Sequence, residues 1–174
     1  MQLTITALGN KSTYFVAEIL TIISSCNCTI LNLKSSNLSQ STASYLLIEG
    51  NWNHIAKVET LLDSLQKRLE IKIHTLRPEA NSKKQNYIPY SLETISVDRH
   101  NVVEDITNFF NEREICIEEI HATRYPAPYV ETAIFSTKCI LLIPPQVRLL
   151  MLREEFLDFC DTLNIDAIIE PIKR

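Results

Sequence analysis

Residues 15–33, FVAEILTIISSCNCTILNL, decide the fold because their pattern occurs twice in the chain. Apolar side chains recur there at helical spacing, and an extended stretch follows. The apolar positions are Phe15, Ile19, Ile22, Ile23 and Cys26, then Ile30 and Leu33. Residues 102–120, VVEDITNFFNEREICIEEI, repeat the pattern, since Ile106, Ile117 and Ile120 lie 87 residues after Ile19, Ile30 and Leu33. The chain is therefore predicted to be an internal duplication.

A second helical pattern follows in each half. Its apolar positions are Ile55, Val58, Leu62, Leu65 and Leu69 in the first half and Leu149, Leu152, Phe156, Phe159 and Leu163 in the second, at a constant offset of 94. The two offsets differ by seven residues, which indicates an insertion between the second and third strands of the later copy. Tyr125-Pro126-Ala127-Pro128 lies there, so we expect a longer hairpin loop.

Each copy is predicted to run strand, helix, strand, strand, helix, strand. Leu3, Ile5 and Ala7 alternate with polar residues, as in a half-buried strand. The order βαββαβ predicts an α+β protein of two ferredoxin-like units, each with an antiparallel sheet and both helices on one face. The predicted domains are residues 1–77 and 88–174, joined by a polar linker over residues 78–87.

Three helix starts carry local signals. Ser12 is expected to cap the first helix of copy one through its hydroxyl. Asn101 and Glu104 have the spacing of a capping box at the matching helix of copy two. Pro144-Pro145 is expected to lie in the first turn of the last helix, which we place at residues 145–163.

The composition excludes several functional classes. The 174 residues include only two glycines, Gly9 and Gly50. Phosphate-binding P-loops, Rossmann fingerprints and the Gly-x-Ser-x-Gly turn of Ser hydrolases all need closely spaced glycines, so they are ruled out. A net charge of -4 does not favour direct binding to nucleic acid.

The chain lacks a stretch of about 18 apolar residues for a membrane span, and residues 1–4 lack signal-peptide features, so we expect a cytoplasmic protein without a membrane partner. Its five cysteines are irregularly spaced and are expected to be reduced thiols. For Cys26-Asn27-Cys28, buried or half-buried small residues are favoured over a metal or redox pair. No catalytic residue, metal ligand or cofactor is predicted.

The four histidines give no catalytic pattern. His54 and His74 are expected to be solvated or packed, and His121, Arg124 and Tyr125 to form an ordinary polar strand edge. His100 differs because it lies in the loop between the first strand and first helix of copy two.

The two loops that follow the first strands are the candidate ligand sites. A helix N-terminus offers unpaired N–H groups to an anion such as an amino-acid carboxylate. The candidate ligand-binding residues are Asn10, Lys11 and Ser12 in copy one and Asp98, Arg99, His100 and Asn101 in copy two. From the residues alone, simple helix capping by Ser12 and by the pair Asn101 and Glu104 is favoured over ligand binding.

Short sequence words add a family resemblance. Residues 4–10 (TITALGN), 16–19 (VAEI), 24–30 (SSCNCTI) and 50–52 (GNW) make the chain resemble the ACT domain, and in tandem they resemble ACT-domain repressors of glycine cleavage. The resemblance implies no catalytic activity and no DNA-binding domain. It also implies contact with a LysR-type transcription regulator, with glycine relieving the repression.

The resemblance further implies amino-acid binding at the first loop, where ACT domains carry an Asp-Arg-Pro-Gly-like sequence. Residues 11–14 of this chain have Lys, Ser, Thr and Tyr instead, and Tyr14 is expected to fill the space left by the glycine. Asp98 and Arg99 match the pattern, but His100 and Asn101 replace Pro and Gly. The second loop is the better candidate because Asn tolerates unusual backbone angles.

Together these observations predict a non-enzymatic regulator of glycine cleavage or other amino-acid metabolism. Two such small units are expected to associate into a homo-oligomer. A structural or dimerisation module that has lost its ligand is the alternative. An enzyme that uses Cys26, Cys28 or His100 is the third and least favoured hypothesis.

Overall fold

The computed structural model describes residues 1–78, 86–97, 100–126 and 132–172. The chain divides into two compact units, Met1–Ser82 and Lys83–Arg174. The predicted linker, residues 78–87, remains a prediction, since most of it lies outside the described residues.

The first unit has the predicted order of elements. They are β1 (Gln2–Asn10), α1 (Phe15–Ser25), β2 (Thr29–Leu38), β3 (Ser41–Glu49), α2 (Trp52–Leu69) and β4 (Lys72–Leu76). The strands form one sheet in the order β2-β3-β1-β4, and every neighbouring pair is antiparallel. This is the ferredoxin-like arrangement expected from the sequence.

The second unit repeats this architecture. Its elements are β5 (Ile88–Val97), α3 (Val102–Asn111), β6 (Cys116–Pro126), β7 (Ala133–Ile143), α4 (Leu149–Thr162) and β8 (Ile165–Pro171). The sheet order is β6-β7-β5-β8, again antiparallel throughout. The predicted fold class, two ferredoxin-like units of α+β type in tandem, is confirmed.

The alternating pattern of β1 explains how the first core forms. Leu3, Ile5 and Ala7 are fully buried and pack with the apolar stripes of α1 and α2 in one cluster. Burying a large apolar side chain contributes roughly 1.5–3 kcal/mol, so these stripes hold both helices on the same face of the sheet.

Four phenylalanines give the second core a different character. Phe109 and Phe110 of α3 pack against Phe156 and Phe159 of α4, with ring centroids 4.9–5.0 Å apart in the pairs between the helices. All of these ring pairs are tilted or edge-to-face, as aromatic packing favours. The second unit therefore joins its helices with aromatic rings where the first uses aliphatic side chains.

The duplication is also visible in the backbone. Six of the seven described non-glycine residues with a positive φ form matched pairs: Tyr14 and Asn101, Asn27 and Glu114, and Glu70 and Asn164. The first two pairs are 87 residues apart and the third is 94 apart. The seventh, Ser39, lies in the turn between β2 and β3. A β-bulge also repeats, between Ile30 and Asn32 in β2 and between Ile117 and Glu119 in β6. Such local geometry, matched position by position, supports the predicted repeat independently of the apolar pattern.

The strand register corrects the predicted insertion. Leu141 of β7 pairs with Tyr90, as Ile48 of β3 pairs with Leu3, so these strands are offset by 93 rather than 94. Six of the seven extra residues therefore belong to the β6–β7 hairpin, and the seventh lies between β7 and α4. The apolar positions of the helices give only the total of seven extra residues, and the strand register is needed to divide them between the two places.

The start of α4 also differs from the prediction. Pro144 and Pro145 lie before the helix, in a turn that is closed by a 3.0 Å hydrogen bond from the Val147 N–H to the Pro144 carbonyl. The helix begins at Leu149, with Arg148 at its N-cap position. The proline pair thus ends β7 and forms the connection instead of opening the helix. No helix in the described part of the chain is long and apolar enough to span a membrane.

Candidate functional site

The first candidate loop is a short helical turn followed by a left-handed residue. After β1, Lys11–Thr13 form one 3-10 turn, and Asn10 caps it by accepting from the Ser12 N–H at 3.0 Å. The Ser12 hydroxyl donates to the same Asn10 Oδ1 at 2.9 Å. Ser12 therefore does not cap α1, and the predicted cap is wrong. Asn10 and Ser12 hold the loop together by bonding to each other.

Tyr14 occupies the N-cap position of α1 without capping the helix through its side chain. Its backbone is left-handed, with φ 48° and ψ 28°, and its side chain makes no cap hydrogen bond. The ring is 81% exposed, so it does not fill the space beside the loop as predicted. Tyr14 thus adopts the backbone conformation that favours glycine while its side chain points to solvent.

A cleft of about 340 Å³ opens beside this helix start. Its lining residues are Lys11, Tyr14, Phe15, Val16, Ala17, Ser35, Asn37 and Thr42. The first turn of α1 forms one wall, and β2 and β3 form the other. The structure therefore places Lys11 at a cleft, while the predicted partners Asn10 and Ser12 are used within the loop.

The cleft has the chemistry of a small-anion site with an apolar side. The first N–H groups of a helix lack partners within the helix, and Tyr14 contributes no side-chain acceptor to them. The Lys11 ammonium adds a positive charge at the same place. On the opposite wall the Thr42 hydroxyl donates to Asn37 Oδ1 at 2.7 Å. An α-amino acid could place its carboxylate at the helix and its ammonium near Asn37.

The second candidate loop is only partly described. Asp98 and Arg99 lie outside the described residues, whereas His100 is exposed and Asn101 precedes α3 with φ 70° and ψ 10°. Asn101 makes no side-chain cap hydrogen bond, so the predicted capping box with Glu104 is not formed. Its left-handed backbone departs from the extended conformation usual at an N-cap, which accounts for the missing cap.

Buried hydroxyls next to these loops were not predicted. Ser44 of β3 and Thr137 of β7 occupy equivalent positions, are at most 2% exposed, and have no hydrogen-bond partner among the described residues. Ser96 of β5 is a third such residue, and its equivalent in the first unit is Gly9. An unpaired buried hydroxyl costs stability, so each group marks a place suited to a water or a ligand atom. Alternation of strand residues could have placed these hydroxyls on the helix-facing side, but only the packing shows that they are unpaired.

Gly9 and Ser96 differ because of their neighbours. A Cβ at Gly9 would lie 2.5 Å from Ile71 Cγ2 and 2.9 Å from the Phe15 ring. The second unit has the smaller Val102 where the first has Phe15, whereas Ile71 has an isoleucine counterpart in Ile165. The same position beside the helix start is therefore apolar and filled in one unit but polar in the other.

Four of the five cysteines pack inside their units, whereas Cys116 is exposed on β6. Cys26 is buried and Cys28 is half-buried, as predicted. The pKa of the Cys28 thiol is raised, first by burial and second by the neighbouring Cys26. Burial also raises the pKa of Cys139 to about 11 and, with a contribution from Asp161, that of Cys160 to about 12. These three thiols stay protonated near neutral pH and are weak nucleophiles. Within the described residues, no group of three or more His, Cys, Asp or Glu side chains is placed to hold a metal ion.

The histidines fall where the sequence placed them. His54 contacts the Asn51 side chain at 3.2 Å beside the start of α2, and His74 lies on β4. His121 contacts the Thr123 hydroxyl at 3.1 Å on the exposed edge strand β6, which also carries Arg124 and Tyr125. Neither arrangement resembles a nucleophile with its base.

Comparison with known proteins agrees with this fold. The family model "ACT domain" matches residues 1–75, which is nearly all of the first unit. A glycine cleavage system transcriptional repressor from Escherichia coli (strain K12) is 24% identical over 170 residues, covering 98% of this chain and 90% of that protein. The same description applies to a relative from Shigella flexneri at the same identity and coverage.

Two solved structures share the fold along the whole chain. A candidate glycine cleavage system transcriptional repressor superposes with a TM-score of 0.75 at 21% identity, over 99% of this chain and 98% of the other. A protein of unknown role from Galdieria sulphuraria superposes with a TM-score of 0.81 at 16% identity and the same coverage. The chain is thus a tandem of two ferredoxin-like units, of which the first matches the ACT domain, and it is similar to the glycine cleavage system transcriptional repressor over 98% of its length.

Proposed function

We propose that this tandem ACT-type protein is a non-enzymatic transcriptional (co)repressor of glycine cleavage or of other amino-acid metabolism. It acts by contact with a LysR-type transcription regulator rather than with DNA. The observation that carries the proposal is the alignment with the E. coli repressor, which extends over both units rather than over the ACT domain alone. Both units of this chain are therefore included in the similarity to that repressor.

The charge and the thiols support a regulatory role over a catalytic one. A net charge of -4 is unfavourable beside a DNA backbone, whereas it does not oppose contact with a protein. The raised pKa values of Cys28, Cys139 and Cys160 weaken the case for thiol chemistry. We accordingly propose a cytoplasmic homo-oligomer without a catalytic residue or cofactor.

The cleft beside α1 is the proposed place for a small amino acid such as glycine. Lys11 and the helix N-terminus would bind the carboxylate, while Asn10 and Ser12 would fix the loop. In the second unit, Asp98, Arg99, His100 and Asn101 stay proposed ligand residues. A ligand at either loop would alter the start of a helix and could thereby change the surface that a regulator contacts.

Co-purification tests the partner. The tagged full-length chain, expressed in its native cell, should retain a LysR-type regulator, and about 10 mM glycine should reduce the amount retained, since millimolar affinity is ordinary for a small ligand. Recovery of the tagged chain without any regulator of that class would contradict the proposal. An unrelated tandem ACT-domain protein carrying the same tag is the control for nonspecific capture.

Calorimetry tests the ligand separately. Glycine should bind the full chain, and Lys11→Ala should weaken binding roughly tenfold by removing a charge-assisted contact. Lys57→Ala, on the exposed surface of α2, is the matched control and should leave binding unchanged. No heat with glycine or any other amino acid would favour the alternative, a dimerisation module that has lost its ligand.

A further inference from the structure

The two helix layers carry very different charge. Helices α1 and α2 have three basic and three acidic residues, so their net charge is zero. Helices α3 and α4 have one basic residue, Arg153, and six acidic residues, Glu104, Asp105, Glu154, Glu155, Asp158 and Asp161, a net charge of -5. This exceeds the net charge of the whole chain, which is -4. The acidity of the protein is therefore concentrated on one helix layer.

Part of this charge surrounds a groove with an aromatic floor. A depression of about 490 Å³ lies between α3 and α4, over Phe109 and Phe159. Carboxylates of Asp105, Glu112 and Asp158 line it. A second depression of about 330 Å³ continues it past Arg113 and Glu155 toward the start of α4.

The continuation is richer in apolar residues. Ile115, Val147, Met151 and Leu152 line it beside Arg113, Arg148 and Glu155, and Met151 is 50% exposed. We call the two adjoining depressions the α4 groove, with an acidic end at Glu112 and Asp158 and an apolar end at Val147 and Met151. The groove thus combines a hydrophobic surface with an excess of negative charge at one end.

Arg113 shows how the acidic end binds a guanidinium group. Its Cζ atom lies 3.7 Å from the centroid of the Phe109 ring. Its nitrogen atoms donate to the Phe109 carbonyl at 2.9 Å and to Glu155 at 3.1 Å. Stacking on an aromatic face together with bonds to oxygen is the geometry that suits arginine better than lysine. Glu112 also lies 4.0 Å from Arg113. Four carboxylates line the two depressions, Asp105, Glu112, Glu155 and Asp158, and they outnumber the two cations there, Arg113 and Arg148.

The fold does not require this chemistry, as the first unit demonstrates. At the equivalent positions it has Ser25 for Glu112, Ser64 for Asp158 and Ile22 for Phe109. Its helices are instead joined by an ion pair between Glu18 and Arg68. The same βαββαβ architecture is therefore stable without an acidic, aromatic groove, so the groove is a special property of the second unit.

We propose that the α4 groove is a docking surface for a segment of a partner protein in which apolar side chains lie next to arginine. The apolar residues would bind at Val147 and Met151. An arginine would bind between Glu112 and Asp158 beside the half-buried Phe159, because Arg113 already covers the Phe109 ring. Charge complementarity selects this occupant, because the acidic end repels nucleic acid and acidic peptides. The inference goes beyond the proposed function, since it specifies a surface and a chemistry whichever regulator is bound.

Selection from a random 12-residue peptide library on phage, with the full chain as target at 0.15 M salt, tests this proposal. The enriched peptides should contain arginine next to apolar residues. In fluorescence anisotropy, the double variant Glu112→Gln/Asp158→Asn should bind the best peptide at least tenfold more weakly. Met151→Asp should weaken binding as well, and replacement of the peptide's arginines by lysine should cost affinity.

The control removes the same charge outside the groove. Glu154→Gln/Asp161→Asn changes two carboxylates of α4 that do not line it, and binding should stay within about twofold. Equal losses in both double variants would overturn the proposal, and so would enriched peptides without arginine. Thermal melts of every variant establish that each is folded. If the peptides bind as expected but no regulator co-purifies, the proposed function alone is contradicted. If a regulator co-purifies but the peptides do not bind as expected, the proposed groove alone is contradicted.

Discussion

The two units share a backbone but differ in what they place on it. Positive-φ residues and a β-bulge recur at matched positions, so the path of the chain matches outside the β6–β7 hairpin and the connection from β7 to α4. The first unit has an apolar helix start at Gly9 and Phe15 and a helix layer with no net charge. The second has a hydroxyl at Ser96 and a strongly acidic layer. The comparison teaches that this fold is specified by few positions and leaves helix starts and helix surfaces free to acquire separate roles.

The largest expected effect comes from matched core truncations. Phe156→Ala should destabilise the second unit by about 3–5 kcal/mol, because the buried ring contacts three other phenylalanines. The equivalent Leu62→Ala should cost the first unit about 2–4 kcal/mol. Urea unfolding should be followed by circular dichroism and by fluorescence of Trp52, which lies in the first unit and is the chain's single tryptophan.

If the units unfold separately, the Trp52 transition should move with Leu62→Ala and stay in place with Phe156→Ala. Equal movement of that transition in both variants would show that the units unfold as one body.

A smaller effect should follow from exchanging the residues beside the helix starts. Gly9→Ser should cost about 1–3 kcal/mol, since its Cβ would overlap Ile71 and Phe15. Adding Phe15→Val, as in the second unit, should make Gly9→Ser less costly, with a coupling energy of about 0.5–1 kcal/mol or more. The free energy of unfolding of the two single variants and the double variant measures this coupling. If the effects of the two single variants add exactly in the double variant, Phe15→Val does not compensate for Gly9→Ser.

Alkaline pH should separate the units through their thiols. The pKa values of Cys139 and Cys160 are raised by burial to about 11 and about 12, from 9.0. Folding therefore favours the protonated thiols, and this stability is complete below pH 9 and is lost progressively as the pH rises from 9 through the folded values of about 11 and about 12. The free energy of unfolding of the second unit should fall over this range. Cys160→Ala should reduce the slope, and an unchanged slope would show that other groups cause the loss.

The smallest effect is expected at the left-handed residues before the helices. Tyr14→Gly should stabilise the first unit by about 0.5–1 kcal/mol, because glycine has no steric penalty there and the exposed ring has little packing to lose. Asn101→Gly should gain less, since Asn tolerates this conformation. Urea midpoints of the two variants measure the difference. A loss of stability in Tyr14→Gly would show that the ring makes contacts of its own.

Much of the fold was predictable because burial leaves a periodic record in sequence. The offsets of 87 and 94 came from apolar positions such as Ile19 and Ile106, and these residues are buried as expected. The burial of Cys26 and the exposed edge at His121 also followed from their neighbours along the chain. Periodicity therefore predicted the elements, their order and the core.

The loops were predicted less well because they depend on bonds between specific atoms. Ser12 has the composition of a cap, yet its hydroxyl bonds to Asn10, and Asn101 is left-handed. Pro145 is compatible with a helix start and with a turn, and its local sequence does not decide between them. The cleft beside Lys11 requires β2 and β3 to come near α1, which only the fold brings about. That its residues bind an amino acid remains a prediction.

The pairing of Gly9 with Phe15, and of Ser96 with Val102, constrains how the two halves of the gene can evolve. Recombination that copied only the first strand of one half into the other would bring a serine against Phe15 or leave a gap beside Val102. A transfer that included both the strand and the following helix would carry the compatible partner with it. The duplicated halves have thus become incompatible at short range, although their chain paths remain interchangeable.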